Sequence, residues 1–192
     1  SYASADAPST AGPEVTVGLS VLQTLAANPE NKSELSKYTV FIRGVLDFAE
    51  RLTTAQVATL FSVLCQLTAG NDASSSMMNE LLILVRKYLG MKDTNHQKMG
   101  VLGCCSVLRY YHEEEESVKS LFLFCQKSTR NLPETRLFFY QQLTLGVEAN
   151  HFSDSINQVG FWNSIHSQLI KEQAASLLDS QYLLDFPPSG GS

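Results

Sequence analysis

The stretch Asn71-Asp-Ala-Ser-Ser-Ser-Met-Met-Asn-Glu-Leu-Leu-Ile-Leu-Val-Arg-Lys-Tyr-Leu-Gly90 decides the fold class of this 192-residue chain. On a helical wheel of 100° per residue with Leu81 at zero, Met78, Leu82, Val85 and Leu89 gather on one side. Met77, Leu84 and Tyr88 gather on the other, so the apolar arc covers close to half the helix. A helix with two apolar stripes has to touch two neighbours, its hairpin partner and the adjoining pair. The face left over holds Asn79, Glu80, Ile83, Arg86 and Lys87. Ile83 and Lys87 are four residues apart, which makes their side chains neighbours on that face. An outward Ile is either an incidental exposed residue or part of a surface that a partner covers. Basic residues at a helix C-terminus also have a purely structural reason to be there, the helix dipole.

Outward from this stretch, nearly every segment has helical periodicity, and strand-like alternation between tight turns is essentially absent. About eight helices are expected. Val15 to Ala27 stops at Asn28-Pro29, and Glu34 to Leu52 follows with a broad apolar side of Val40, Phe41, Val45, Leu46 and Phe48. Thr53 or Thr54 caps the next, which ends at Gly70, and Ser75 or Ser76 caps the helix holding Lys87, closed by Gly90. Thr94 caps another to about Tyr111, Ser117 opens one that ends near Arg130, Pro133 suits the first turn of the next, and Ser153 to about Leu178 is the last. The expected architecture is all-α: antiparallel helix pairs stacked as an irregular α-solenoid of HEAT or armadillo character, with a compact bundle as the competing arrangement. No fixed-period repeat stands out. Residues 1–13 and 185–192 read as flexible edges of a helical segment over 14–184 that carries the Lys87 helix at 75–89.

Composition narrows the function. With 44% hydrophobic and 17% charged residues the chain can bury a sizeable core. Its net charge of −5 lacks the basic footprint of phosphate-dominated nucleic-acid binding. No apolar run reaches the roughly 20 residues that span a bilayer. Cys65, Cys104, Cys105 and Cys125 all fall within apolar helical patterns, as small hydrophobes of a protein in a reducing compartment. A zinc site from His96, Cys104, Cys105 and His112 has no matching ligand spacing. A Cys-His pair drawn from Cys125 with His151 or His166 has no flanking signature. Gly100 and Gly103 sit within a helix, where they permit close helix packing rather than forming a phosphate loop. Glu113 to Glu116 reads as a solvated helix end, and Phe161 and Trp162 as core.

Three windows give the chain a family resemblance. Asn71, Ala73, Ser74 and Ser75 lead into the helix, Leu84-Val85-Arg86-Lys87 with Leu89 carries it, and Lys98-Met99-Gly100-Val101-Leu102-Gly103 follows. Upstream, Phe41-Ile-Arg-Gly-Val-Leu-Asp47 and Leu60-Phe-Ser-Val-Leu64 add to them, and Leu137-Phe-Phe-Tyr140 is a weaker echo. In this order they resemble the central segment of the Fanconi anaemia group D-two family, around its monoubiquitination site. The paralogous group I family, whose helix also ends in an apolar-Arg-Lys pattern, is the closest alternative, and the Asn-x-Ala-Ser-Ser approach favours D-two.

The resemblance implies that Lys87 is the ubiquitin acceptor of a subunit acting in interstrand-crosslink repair. It implies a nuclear protein, paired with a group I-like partner and closing on DNA in the full-length complex. A conjugating enzyme and its ligase would supply ubiquitin, and Ile83, Arg86 and Glu80 would lie near the partner or that machinery. The attacking nucleophile is a neutral amine, whereas lysines in water are almost wholly protonated at neutral pH. Deprotonation would therefore fall to the conjugating machinery, and no catalytic residue, metal or cofactor of the chain's own is expected. The family protein is several times longer, so a chain of this length reads as a segment of one. The other reading of these residues is a generic helical-repeat scaffold that presents a protein-binding surface and bears no specific modification.

Overall fold

The structure is a computed structural model and describes residues 11–69, 75–110 and 115–148, together with Ser167. All of these but Ser167 belong to a unit spanning Ser1–Ser153. Among them the elements are all helical: α1 (Pro13–Ala27), α2 (Pro29–Ser36), α3 (Thr39–Gly44), a 3₁₀ segment (Val45–Arg51), α4 (Thr54–Thr68), α5 (Ser75–Gly90), α6 (Thr94–Tyr110), α7 (Glu115–Thr129) and α8 (Pro133–Glu148). The expected helix from Ser153 to Leu178, with Phe161 and Trp162, lies outside the described residues, as do the terminal stretches 1–10 and 185–192.

The helix ends follow capping chemistry. Thr53 precedes α4 in a reciprocal box in which the Gln56 amide donates to the Thr53 hydroxyl at 3.2 Å and the Thr53 amide to Gln56 Oε1 at 2.8 Å. Pro133 takes the first position of α8, where a missing N–H is harmless. At α6 the cap is Asp93 rather than the expected Thr94. Its carboxylate accepts from the His96 amide at 3.0 Å, and Thr94 is already in the first turn. The capping position before Ser75 and the expected Gly70 terminator lie outside the described residues.

The expected helix from Glu34 to Leu52 is a correction. In its place stand α2, α3 and the 3₁₀ segment, with non-helical backbone at Tyr38 (φ −100°, ψ 6°) and Phe48 (φ −108°, ψ 15°). Serine and threonine hydroxyls compete for the carbonyls that would carry the helix onward. The Ser36 hydroxyl donates to Lys32 O at 2.7 Å and Thr39 Oγ1 to Ser36 O at 2.6 Å. The β-branched Thr39, Val40, Ile42 and Val45 add little helix propensity of their own. The apolar side also differs from expectation: Ile42, Leu46 and Ala49 are buried, whereas Val40, Phe41 and Phe48 face solvent.

The remaining helices pack in two rows. α1, α4, α6 and α8 contact one another in that order, and α5 packs on α6 and on α7 in the second row. α4 also meets α1, α2, α3 and α5, and the core gathers around it and α6 through Val57, Leu60, Phe61, Leu64, Val101, Leu102 and Val107. The all-α class holds, and this pairing is compatible with stacked helix pairs.

Candidate functional site

α5 places its side chains as the wheel requires. Met78, Leu81, Leu82, Val85, Tyr88 and Leu89 are buried, Met77, Leu84 and Arg86 are half-buried, and Asn79, Glu80, Ile83 and Lys87 are exposed. Ile83 keeps 65% of its surface in solvent, a large exposed fraction for an aliphatic residue beside a lysine. Glu80 is already engaged. Its carboxylate lies 3.4 Å from Arg43 Nε, which ties α5 to α3. Arg86 flanks Lys87 at the edge of the buried stripe.

The C-terminal half of α5 is held from behind by two glycines of α6. A Cβ on Gly100 would sit 2.7 Å from Leu89 Cγ and 2.8 Å from the Leu89 backbone nitrogen. A Cβ on Gly103 would sit 2.5 Å from Val85 Cγ2 and 3.0 Å from the Phe61 ring. Val85 and Leu89 are the residues two before and two after Lys87, so contact with bare backbone sets the depth and rotation of the helix there. The Tyr88 hydroxyl donates to Leu46 O at 3.4 Å and fixes the same turn to the 3₁₀ segment. Burial of the Tyr88 phenol, first, and the nearby Asp47 and Glu50 push its pKa up.

Gln97 completes this end of the helix. It is buried on α6, and its amide nitrogen donates to Met91 O at 2.8 Å and Leu89 O at 3.4 Å. The last carbonyls of a helix lack intrahelical donors, and this amide supplies them. The sequence reading closed α5 at Gly90 and missed Gln97. Its signal was a polar residue on the apolar side of α6, just before Met99 and Gly100.

Next to Gln97, His96 links two elements. Its Nδ1 lies 2.7 Å from Asp93 Oδ2 and its Nε2 lies 3.0 Å from Glu50 Oε1, with the Tyr88 ring centroid 5.9 Å away. The Asp93 hydrogen bond raises the His96 pKa most and Glu50 adds to it, against partial burial, while the His96 amide and ring hold Asp93 below the ordinary carboxylate range.

The cysteines are core. Cys65, Cys104 and Cys125 are buried and free, and Cys105 is half-buried and free. Burial drives the Cys65 thiol up to about 12, and the Cys104 thiol is raised by its hydrogen bond to Cys125 and by burial. Burial also raises Cys105, so these thiols stay protonated, the opposite of an activated nucleophile. Among the described residues no three His, Cys, Asp or Glu side chains are grouped so as to hold a metal ion. No helix among them is long and apolar enough to cross a membrane. His112, His151 and His166 lie outside the described residues.

A family model described as Fanconi anaemia protein FancD2 nuclease matches residues 4–145, which include all of α1 to α7 and most of α8. The chain belongs to the FancD2 family. Over 96 residues it is 27% identical to the Fanconi anemia group D2 protein of Gallus gallus. That stretch covers 50% of this chain and 6% of the relative, so the chain corresponds to a small part of a much longer FancD2 protein. The D-two resemblance carried by the windows around Lys87 thus agrees with the family match, and the whole of α5 lies inside the matched residues.

Proposed function

We propose that this chain is the acceptor segment of a FancD2-like subunit acting in DNA interstrand-crosslink repair in the nucleus, and that Lys87 receives a single ubiquitin. The observation that carries the reading is an exposed Lys87 beside an exposed Ile83, on a helix whose rear is packed against bare backbone of α6. A substrate amine held on a rigid element needs little ordering when a conjugating enzyme approaches. The neutral Lys87 amine attacks the thioester carbonyl of ubiquitin on that enzyme. A C–N bond forms, the C–S bond breaks, the thiolate leaves and the amine proton passes to a base of the conjugating machinery. The chain supplies the nucleophile and its presentation, and the conjugating enzyme and ligase supply the rest.

In this reading a group I-like subunit pairs with the full-length protein, and modification accompanies closure of the pair on DNA. Ile83 is the contact offered to the partner or to the ligase. Arg86 flanks it, and Glu80 acts through its ion pair with Arg43 rather than as a free acidic contact. DNA contact belongs to the whole complex, since this segment carries a net charge of −5.

The test is Lys87→Arg in the full-length protein, with reconstituted conjugation followed by mass spectrometry of the Gly-Gly remnant. Modification at Lys87 that disappears in the variant is the expected result. Undiminished modification, or remnants only at other lysines, rejects the assignment. A scaffold reading, with no specific modification, draws on a different observation: Tyr38, Val40, Phe41 and Phe48 are exposed in one short segment, as a protein-binding surface would be. The same experiment separates the two.

A further inference from the structure

We infer that Gln97 is a positioning residue for the acceptor, and that its amide determines that ubiquitin goes to Lys87 rather than to Lys92. This inference rests on Lys87 being the acceptor and adds what selects it. Lys87 stands in the last turn of α5, which ends at Gly90, and Lys92 follows in the turn Met91 to Asp93; both lysines are exposed. They lie only five residues apart, so a conjugating enzyme that reaches one is within reach of the other.

What distinguishes the two lysines is the backbone beneath them. The last turn of a helix frays when its carbonyls have no donors. Here Tyr88 O accepts from the Met91 amide at 3.2 Å, and Leu89 O and Met91 O accept from Gln97 Nε2 at 3.4 and 2.8 Å. Gln97 is 5% exposed, and its Oε1 is buried with no hydrogen-bond partner. The side chain therefore leaves one acceptor of its own unsatisfied while its nitrogen serves two carbonyls at the end of the acceptor helix. The Gly100 and Gly103 contacts hold Leu89 and Val85, so the clamp acts on a turn whose inner face is already fixed. Lys92 projects from backbone beyond the helix. With the clamp intact, Lys87 is the amine with a single backbone position. Without it, the turn from Lys87 to Lys92 loosens as one piece and the two amines compete on similar terms.

The experiment uses the full-length protein with its partner subunit and a ubiquitin-charged conjugating enzyme with its ligase. Gln97→Met keeps length and apolar volume and removes the donor. It should lower turnover at saturating charged enzyme by about tenfold, with KM for the charged enzyme little changed, as for a misplaced reacting group. The share of Gly-Gly remnant at Lys92 should rise to rival that at Lys87. Gln97→Lys, which restores a donor at similar reach, should recover both turnover and the preference for Lys87. If the Met variant does not fold, Gln97→Glu, of the same shape but an acceptor only, takes its place. Amide hydrogen exchange over residues 87–91 of unmodified protein reads the clamp directly and should quicken in either donor-free variant, with the core of α4 unaffected. A folded donor-free variant that keeps wild-type turnover and the wild-type ratio of the two lysines overturns the inference, as does a loss that Gln97→Lys leaves unrepaired. Lys87→Arg run alongside tells the two failures apart: if it alone abolishes modification while Gln97→Met changes nothing, the acceptor assignment stands and only the positioning role of Gln97 falls.

Discussion

The junction of α5 with α6 and the segment Pro29–Arg51 lie side by side, yet they use apolar residues in opposite ways. At the junction, glycines let two helices meet backbone to side chain, and Leu81, Val85 and Leu89 keep 1% or less of their surface exposed. In the segment, three short helical pieces hold Ile42, Leu46 and Ala49 inside and leave Phe41 76% and Val40 66% exposed. The junction spends its apolar surface on rigidity. The segment keeps much of its own available at the surface, and it joins the junction through polar ties: Arg43 to Glu80, Tyr88 to Leu46 O, and His96 to Glu50. A substrate lysine belongs on the first kind of surface, since presentation depends on a fixed backbone. A contact surface can be built from the second.

The largest effects should come from breaking the junction. Leu81→Ala removes a side chain that is 1% exposed and should cost about 3 kcal/mol of unfolding free energy by chemical denaturation. A loss under about 1 kcal/mol would show that the site collapses around the gap and that the packing is looser than the contacts indicate. Gly103→Ala should cost about 2 kcal/mol, because the new methyl meets both Val85 and the Phe61 ring and one of them must move. Its paired variant Gly103→Ala with Val85→Ala should recover part of that loss; no recovery would place the clash elsewhere.

These two positions were legible before any coordinates. A 16-residue helix with two stripes gives its inward residues by period alone, and two glycines three apart inside a helix announce close approach. Ile83 and Lys87 came out on the exposed face for the same reason. The segment from Pro29 to Arg51 was not legible, since its breaks depend on the hydroxyls of Ser36 and Thr39 and on ties to distant residues, such as Lys32 Nζ to Ala69 O at 2.5 Å. Glu80 looked free because its partner Arg43 is remote in sequence. Gln97 looked like an ordinary helix polar residue because the carbonyls it serves belong to the preceding helix. Periodicity reports which way a side chain points, whereas long-range hydrogen bonds appear only once the chain has folded.

Smaller effects sharpen the contrast. Thr53→Ala removes half of the capping box at the start of α4 and should cost about 1 kcal/mol, read as a lowered denaturation midpoint. Phe41→Ala, although it deletes a larger side chain than any change above, should alter stability by no more than about 0.5 kcal/mol, because that ring is mostly in water already. A loss as large as that of Leu81→Ala would mean that Phe41 is packed and that the two regions do not differ in the way described.

The smallest effect tests the polar tie between them. The His96 pKa is raised in the fold by Asp93 first and Glu50 second, so its contribution is fully present below the unfolded value of about 6.5 and is lost as pH rises through the raised folded value. Asp93 is lowered, so its contribution is present above its unfolded value and is lost as pH falls through the lowered one. Both act together only in the mildly acidic range, and solvent screening keeps the gain small at so accessible a site. Thermal unfolding from pH 5.5 to 8.5 should therefore show a slight fall in Tm that His96→Gln flattens. Because the tie spans α6 and the 3₁₀ segment, the fall should be accompanied by faster amide exchange in Val45–Arg51 and not in the buried half of α5. Equal quickening in both would mean that the two regions open as one unit, and the division between a rigid presenting helix and an independently tethered segment would be lost.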